Sequence, residues 1–438
     1  MTTGLGLGNA YGATLDRIKA QGSYLSRIGT TALMWICHSE RQLGAEELCQ
    51  ALAVDIGSTD HNADDAPSIQ TVLSCCQGFV VVDNEGSAVR LIHYTLREYL
   101  ISHRSFFQSP HSTIAETCLT YLNSQQVMAL SGSRSQSTQH SPFLQYSSLY
   151  WGAHLKKELS DCGEMLALKL FSLCECHVSI RLLLEHTFGQ YSICYSIGEY
   201  YKCTGLHCAS ILGLVEVTRD LIKMDGVDIN GMDETGSTPL LWAAITGQEA
   251  AVKLFLELEG VDPDRPDNGG QTPISWAARN GHEAVVKLLL GRNDVNPDRP
   301  DYSGRTPISW AAGNGHKPVV ELLLRRKDVN PNRPDSDGYP PITWAANYGH
   351  EAVVKLLLGR GDVDPDMTDN KGRTPISWAA QRGREAMVKL LLGREDINPA
   401  RTDKSGRAPI SWASENGHEA VVKLLLGRKE VNPNTLDV

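Results

Sequence analysis

The second half of the chain alternates short apolar segments with polar turns, and this pattern returns every 34 residues. Each period holds two helical signatures: a first rich in small and apolar residues, and a second reading AVVKLLL or a close variant. The valines and leucines of the second recur at helical spacing and form one apolar face. About sixteen residues rich in Gly, Pro, Asn and Asp follow, and these cannot continue a helix. The pattern predicts a solenoid whose units pack on their neighbours.

Each recurring residue in this period has a structural explanation. In the unit that begins at Thr306, we expect the threonine hydroxyl to cap the first helix and Pro307 to occupy its first position. Ala311 and Ala312 are small, which lets neighbouring helices approach closely. Gly315 is expected to end the first helix in the left-handed conformation. The repeated motif therefore predicts packing, and it carries no chemistry.

A period of 34 residues is also that of tetratricopeptide repeats, so the internal layout must decide between the two folds. Tetratricopeptide units have two long helices and little loop, which leaves no room for the polar turn. Residues 202–438 resemble ankyrin repeats instead. The family pattern is met by Asp301, Gly304, Thr306, Pro307, Ile308, Ala311, Ala312, Gly315, His316, Val320, Leu322 and Leu323. One departure is regular, because a Ser followed by Trp replaces the family's His. The resemblance implies a protein that binds other proteins through a concave face.

The first 110 residues predict a small α/β module. Helices are expected at Ile28–Cys37, Ala45–Ala53 and Pro67–Gln77, followed by a hairpin (VVVD–NEGS–AVRLI) and a closing helix, TLREYLISH. Three helices and a hairpin are typical of a winged helix. The third helix contains no Lys or Arg, which argues against a DNA-reading role. The glycine-rich start of the chain is expected to be frayed.

The same region resembles the segment that follows the nucleotide-binding NACHT module in fungal NOD-like receptor proteins. The resemblance rests on TLDRIKAQGSYLSRIGTTALMWICHSERQLGAEELCQALAVD, on VRLIHYTLREYLISH, and on an aromatic-rich helix at Phe143–Leu159. Such receptors carry a phosphate-binding G-x-x-x-x-G-K-[ST] loop upstream, and this sequence contains none. Nucleotide hydrolysis is therefore not carried over, and no cofactor is expected. The chain is either a naturally short relative or an incomplete gene product that lacks an upstream NTPase domain and C-terminal repeats.

We therefore expect a mainly α fold. An ankyrin-repeat solenoid of seven 34-residue units should occupy residues 202–438. A winged-helix-like module at residues 1–110 and a helical linker domain at residues 111–201 should precede it. The sequence leaves the oligomeric state undetermined.

Charge and cysteine content narrow the functional class. The net charge is −10 and neither half of the chain is basic, which argues against a nucleic-acid surface. No apolar run is long enough for membrane insertion, and no signal peptide is evident. The 11 cysteines suit a reducing compartment, so we expect a cytoplasmic protein, with a nuclear location as the alternative. Only the Cys174–Cys176–His177 cluster hints at zinc, and free thiols are the preferred interpretation, so no metal is expected.

No motif predicts catalysis. The sequence lacks H-E-x-x-H, G-x-S-x-G and any paired-carboxylate signature, so we expect no enzymatic activity. Ser275 and His316 have equivalents in most units, and a nucleophile or base would not be repeated in this way. The histidines are expected to bond a neighbouring loop.

Candidate binding residues are those that the repeat does not fix and that lie at the turn tips or the exposed ends of the first helices. Tyr and Arg are enriched at binding hot spots. On this basis we predict a protein-binding face formed by Arg279, Tyr302, Arg305, Tyr339, Tyr348, Arg373, Arg382 and Arg407. The tips become more basic toward the C-terminus, which suits an acidic or phosphorylated partner. The recurring tryptophans, Trp242 to Trp412, are expected to be partly buried between helices.

The sequence thus favours a non-enzymatic protein–protein interaction scaffold, related to the sensor arm of fungal NOD-like receptors. Two alternatives stay open. One is an adaptor or accessory protein that recruits a client enzyme through the same repeats. The other is a fragment of a larger NTP-dependent, immune-type switch.

Overall fold

The structure is a computed structural model that describes residues 4–59, 65–83, 88–103, 105–130, 141–173, 177–190 and 203–432. The chain divides into two compact units, residues 1–225 and residues 226–438. The domain boundaries expected from the sequence remain predictions. In the described part of the chain, no helix combines the length and apolar character needed to cross a membrane.

The first unit begins with the helices and the hairpin expected for residues 1–110. Its elements are α1 (Gly4–Lys19), α2 (Ser23–His38), α3 (Ala45–Ala53), α4 (Ile69–Cys75), β1 (Val80–Val82), β2 (Val89–Leu91) and α5 (Tyr94–Ser102). The two strands pair antiparallel with Val80 opposite Leu91, and Gly44 forms an isolated bridge with Ala88. The predicted turn at residues 84–87 lies outside the described residues.

The expectation of a frayed N-terminus is wrong for the residues that the structure describes. The glycine-rich start forms most of α1, although glycine is a poor helix former. Its anchor is Tyr11, whose ring packs edge-on against Phe79 and Tyr99 at 5.9 and 5.5 Å between ring centroids. Tertiary packing of one aromatic side chain therefore overrides the local preference of the glycines.

A helical segment completes the first part of the chain. Its helices are α6 (Pro110–Leu122), α7 (Gln125–Leu130), α8 (Pro142–Lys157), α9 (Asp161–Ser172) and α10 (Val178–Gln190). Helix α8 is the predicted aromatic-rich helix, and its Tyr146 and Trp151 are buried. The rings of Tyr146 and Phe143 both meet Trp35 of α2 edge-on, at 5.8 and 5.6 Å. These aromatic contacts join α8 to α2.

Short helices in inner and outer pairs make up the rest of the chain. In chain order they are α11 (Gly205–Leu212), α12 (Val215–Lys223), α13 (Pro239–Ile245), α14 (Glu249–Glu257), α15 (Pro273–Asn280), α16 (Glu283–Leu290), α17 (Pro307–Gly313), α18 (Lys317–Leu324), α19 (Pro341–Tyr348), α20 (Glu351–Leu358), α21 (Pro375–Gln381), α22 (Glu385–Leu392), α23 (Pro409–Glu415) and α24 (Glu419–Leu426). Odd-numbered helices are the inner ones. Within the second unit, each inner helix packs on the next inner helix and each outer helix on the next outer one.

The features predicted to begin and end the inner helices, and to pack them closely, are confirmed in the unit that begins at Thr306. The Thr306 hydroxyl accepts a hydrogen bond from the Ser309 N–H, and Pro307 is the first residue of α17. Ala311 and Ala312 are fully buried between neighbouring inner helices. Gly315 follows α17 with φ +77°, in the left-handed region that favours glycine.

Candidate functional site

Each inner helix of the second unit carries a tryptophan that is tied to the turn before it. The indole Nε1–H donates to an aspartate carboxylate nine residues earlier in the chain. The pairs are Trp242–Asp233 (2.7 Å), Trp276–Asp267 (2.8 Å), Trp310–Asp301 (3.0 Å), Trp344–Asp335 (2.9 Å), Trp378–Asp369 (3.1 Å) and Trp412–Asp403 (3.1 Å). This bond fixes the indole plane because its partner is held by the turn.

The second oxygen of each aspartate holds the turn itself. In the unit of Asp335, Oδ1 accepts hydrogen bonds from the backbone N–H groups of Asp337 (3.0 Å) and Tyr339 (2.8 Å). Burial raises the pKa of Asp335 above its usual value, and the hydrogen bonds that it accepts oppose this shift. The aspartate therefore links the projecting turn to the tryptophan of the inner helix.

Cations and a tyrosine fill the spaces between successive indoles. The Arg279 guanidinium lies over the rings of Trp276 and Trp310, at 4.7 and 4.3 Å from their centroids. Arg305 lies between Trp310 and Trp344 in the same way, at 4.6 and 3.9 Å. These distances are in the range of cation–π attraction.

The interleaving continues toward the C-terminal units. The Tyr339 ring meets Trp344 and Trp378 edge-on, at 5.2 and 5.5 Å. Arg373 lies 3.7 Å from the centroid of Trp378 and donates to the Tyr339 hydroxyl at 3.2 Å. Arg407 covers Trp412 at 4.8 Å. We call this surface, from Trp276 to Trp412 with its intervening Arg and Tyr side chains, the ladder face.

The tryptophans of the inner helices differ in how deeply they are buried. Trp242 and Trp276 are fully buried, and Trp310, Trp344, Trp378 and Trp412 are half-buried. The expected partial burial is therefore confirmed for the later four. The aspartate and arginine partners of these rings were missed by the sequence reasoning, although an Asp at a constant spacing before every Trp was a readable signal.

The eight predicted binding residues separate into two groups in the structure. Tyr302, Tyr348 and Arg382 are exposed, with 77% and 52% of the two tyrosines accessible to solvent. Tyr348 stacks on Trp344 at 5.9 Å, and Arg382 donates to the side chain of Asn347. These three project from the surface and are available to a partner.

The other five predicted residues are occupied by contacts within the ladder face. Arg279, Arg305, Tyr339 and Arg407 are partly buried, and Arg373 is only 7% exposed. Arg373 also pairs with Asp369 at 3.0 Å, and Arg407 pairs with Glu415 at 2.8 Å. These side chains shape the face and hold the indoles in place.

Comparison with known proteins identifies the family of this fold. Residues 206–301, 291–369 and 344–437 match the family described as ankyrin repeats, in three copies that together cover more than half of the chain. The chain belongs to the ankyrin-repeat family. Residues 17–112 match the winged helix domain of GPI inositol-deacylase, so a winged-helix domain precedes the repeats. No curated protein matches the chain at a significant level.

A row of histidines connects the ankyrin repeats to one another. The Nε2–H of His282, His316, His350 and His418 each donates to a backbone carbonyl at the end of the preceding inner helix, at 2.9 to 3.1 Å. These histidines were expected to bond a neighbouring loop, and the structure corrects this, because each acceptor is a residue at the end of the preceding inner helix. Burial lowers the pKa of His282 and of His316 below 6.5. A neutral imidazole that donates one bond is thus the stable form.

Arginines that lie just after the outer helices, here called the outer arginines, provide a second connection between the ankyrin repeats. Arg292 donates to the Leu256 carbonyl at 2.9 Å, and its guanidinium is held by Asp294. Arg326, Arg360, Arg394 and Arg428 donate to a leucine carbonyl of the preceding unit in the same manner. The turn tips add a third connection, in which the Tyr302 N–H donates to the Gly269 carbonyl at 3.1 Å.

Replacing His316 with asparagine should lower the free energy of unfolding by about 1 kcal/mol at about pH 7.5, because one partly buried hydrogen bond is lost. The unfolded imidazole, with a pKa of about 6.5, is protonated before the folded one, whose pKa is lower. The wild-type stabilisation is therefore complete above about pH 6.5 and is lost as the pH falls through the folded pKa. We expect the cost of the substitution to be smaller at about pH 5.

Urea unfolding followed by tryptophan fluorescence at the two pH values measures this difference. Position 384 offers a matched control, because Arg384 stands where four other units have histidine and carries no imidazole. The cost of Arg384→Asn should be the same at both pH values. A cost of His316→Asn that did not change with pH would contradict the role assigned to the imidazole.

Proposed function

We propose that the chain is a non-enzymatic protein–protein interaction scaffold that binds a partner protein through the concave, ladder-face side of seven ankyrin units. The observation that carries this proposal is the position of Tyr302, Tyr348 and Arg382. All three are exposed, and Tyr348 stacks on the Trp344 indole, which is itself held by its hydrogen bond to Asp335 and by Arg305. Anchors that are ordered before binding lose little conformational entropy when the partner arrives. The ladder face therefore acts as a preorganised support for a few projecting anchors.

The charge of the same face favours an acidic or phosphorylated partner. Lys371 and Lys404 are exposed at the turn tips, and Arg382 is exposed at the end of α21. Asp337 and Glu415 are exposed on the same side of the repeats, and Glu415 is paired with Arg407. Cations thus outnumber the free carboxylates toward the C-terminal units. Opposite charges on the partner would raise the association rate and make binding sensitive to salt.

The absence of catalysis is part of the proposal, and the packing of the recurring polar residues supports it. Ser275 is fully buried and bonded to Thr272, where it serves the helix cap. The imidazole of His316 is bonded to a backbone carbonyl. A nucleophile or base needs access to a substrate, and these side chains are committed to the fold.

We further propose that the chain is related to the sensor arm of fungal NOD-like receptors and acts in the cytoplasm or nucleus without binding nucleic acid. A winged-helix domain followed by ankyrin repeats is the order expected for such an arm. Helix α4 lacks basic residues, which argues against a DNA-reading role for the winged helix. Cys37, Cys49, Cys75, Cys76, Cys118 and Cys162 are free thiols, which suits a reducing compartment. A client-recruiting adaptor and a fragment of an NTP-dependent switch are the alternatives, and the identity of the partner decides among them.

The combined substitution of Tyr302, Tyr348 and Arg382 by asparagine should weaken partner binding by at least tenfold, on the order of a single hot-spot side chain. Equivalent positions in other units already hold asparagine, such as Asn268 for Tyr302 and Asn280 for Tyr348, so the repeats should fold normally. The measurement is affinity capture from cells that express each variant, with quantification of proteins retained by the wild type. Bound proteins should also dissociate as salt is raised.

The control is a triple substitution of exposed lysines on the outer helices, Lys287, Lys355 and Lys389, by glutamine. This variant also replaces three exposed side chains, but on the outer helices, and it removes more positive charge than the ladder-face variant; it should nevertheless retain the partner. Loss of the partner in the outer-helix variant, together with retention in the ladder-face variant, would overturn the proposed binding face.

A further inference from the structure

Three side chains with metal-binding atoms come together in the first unit. Glu40 follows α2, His111 lies in the first turn of α6, and His154 lies in the last turn of α8. One ligand atom from each lies within 4.8 Å of the other two. We infer that Glu40, His111 and His154 form a binding site for a divalent transition-metal ion, with zinc as the best-fitting ion.

The strongest geometric argument is the contact between the two imidazoles. Nδ1 of His111 lies 2.8 Å from Nδ1 of His154. Two nitrogen lone pairs would repel each other at this distance, so either a proton or a metal ion lies between the two nitrogens. The proton would make an ordinary N–H···N hydrogen bond between two neutral rings, whereas a metal ion would be bound by both lone pairs. Zinc bound at about 2.0–2.1 Å from each nitrogen would hold them roughly 3.3 Å apart in a tetrahedral site, so the rings need to separate only slightly. His111 is half-buried and has room for this shift.

The surrounding hydrogen bonds orient two of the three ligands. The Tyr146 hydroxyl lies 2.9 Å from Nε2 of His154 and accepts a bond from the backbone N–H of Glu40 at 3.0 Å. When Nδ1 of His154 binds a metal, Nε2 carries the proton and donates it to the tyrosine oxygen. A second partner of this kind is usual for metal-bound histidine. The Glu158 carboxylate accepts from the backbone N–H of His111 at 2.9 Å and fixes the start of α6.

The chemistry of the donors selects the class of ion. Two imidazoles and one carboxylate are the protein ligands of several zinc centres, with water in the fourth position. Imidazole nitrogen favours zinc, nickel and copper over magnesium and calcium. Burial of His154 at one side of the cluster and exposure of Glu40 at the other leave one open approach for the ion and its water.

Lys157 competes with the ion for the Glu40 carboxylate. Its Nζ lies 2.6 Å from Glu40 Oε1, and about half of its side chain is exposed. The metal would need the Glu40 carboxylate to rotate toward the imidazoles, and the lysine would move into solvent. Removal of the lysine charge should therefore raise metal affinity, whereas a purely structural histidine pair would give no such effect.

The test uses the full-length protein, stripped with chelator and titrated with Zn²⁺ by calorimetry and with Co²⁺ by visible absorption. The wild type should bind one Zn²⁺, and His111→Gln should not bind it. Glutamine is chosen because it can still donate a hydrogen bond to His154 and so preserve the fold. Tyr146→Phe should weaken binding by about 10–100-fold, as expected for loss of a supporting partner. Lys157→Gln should bind more tightly than the wild type.

His103→Gln is the matched control, since His103 is an exposed histidine of the same unit outside the cluster. It should leave the zinc affinity and the Co²⁺ spectrum unchanged. Equal zinc binding by the wild type and His111→Gln would show that the two imidazoles are joined only by a hydrogen bond, and it would overturn the proposal. An unchanged zinc affinity in Lys157→Gln would also contradict it, because the Glu40 carboxylate would then not be a ligand.

Discussion

Replacing Asp369 with alanine should lower the free energy of unfolding by about 3–5 kcal/mol, the cost typical of breaking a buried ion pair by removing one partner. Its Oδ2 accepts from Nε of Arg373 at 3.0 Å and from the indole of Trp378, and its Oδ1 accepts from two backbone N–H groups at 2.8 Å. The two charged side chains are 1% and 9% exposed. Alanine would leave the buried Arg373 guanidinium without its counter-charge, and it would leave Nε–H of Arg373, the Trp378 indole and two backbone N–H groups without this acceptor.

Two further aspartates separate the contributions to this cost. Asp403 makes the same bonds to its turn and to Trp412, but its neighbour Arg407 pairs with Glu415 instead. Asp403→Ala should therefore cost less than Asp369→Ala. Replacing the exposed Asp337 with alanine should change the free energy of unfolding by less than about 0.5 kcal/mol. Urea unfolding followed by tryptophan fluorescence measures all three, and any other order would contradict the role given to the Arg373 pair.

Replacing Gly315 with alanine should cost about 2–4 kcal/mol, from left-handed backbone strain together with a lost hydrogen bond. Its φ is +77°, and an added Cβ would lie 2.5 Å from Nδ1 of His350. The imidazole would have to move, and it would lose its bond to the Gly313 carbonyl at 2.9 Å.

Gly417 provides the matched control for this substitution. It has nearly the same backbone conformation, with φ +72°, but an added Cβ would meet nothing within 4 Å. Gly417→Ala should therefore cost only the backbone strain, about 1–2 kcal/mol. Thermal unfolding of both variants gives the comparison. Equal costs would show that the contact with His350 contributes nothing.

Much of the fold could be predicted because its causes are local and repeated. The threonine cap, the proline at the first position and the glycine after the inner helix act within a few residues, so the sequence shows them directly. The same is true of the winged-helix elements, where Ala45–Ala53 was predicted with the bounds that the structure gives. The helical start at α1 was missed because it depends on the packing of Tyr11 against residues far away in the chain.

The candidate site was less predictable because its contacts run between units. Arg373 and Tyr348 both occupy variable positions, and the sequence treated them alike. The structure buries Arg373 against Trp378 and Asp369, whereas Tyr348 stays exposed. Whether a variable residue is buried against its neighbours or stays exposed depends on the spacing between helices. The cluster of Glu40 and two histidines could not be predicted for the same reason, since its members come from the segment after α2, from α6 and from α8.

The hydrogen bonds of the histidine row, the outer arginines and the turn tips give the repeat array a direction. In all three rows the donor belongs to the later unit and the carbonyl acceptor to the earlier one, as with His316 and Arg279 or Arg292 and Leu256. One side of a unit is thus rich in donors and the other in acceptors. Like sides cannot satisfy each other, so two copies cannot pair symmetrically through these surfaces. Duplicated or transplanted units can join only head to tail, with the donor side of the later unit against the acceptor side of the earlier one.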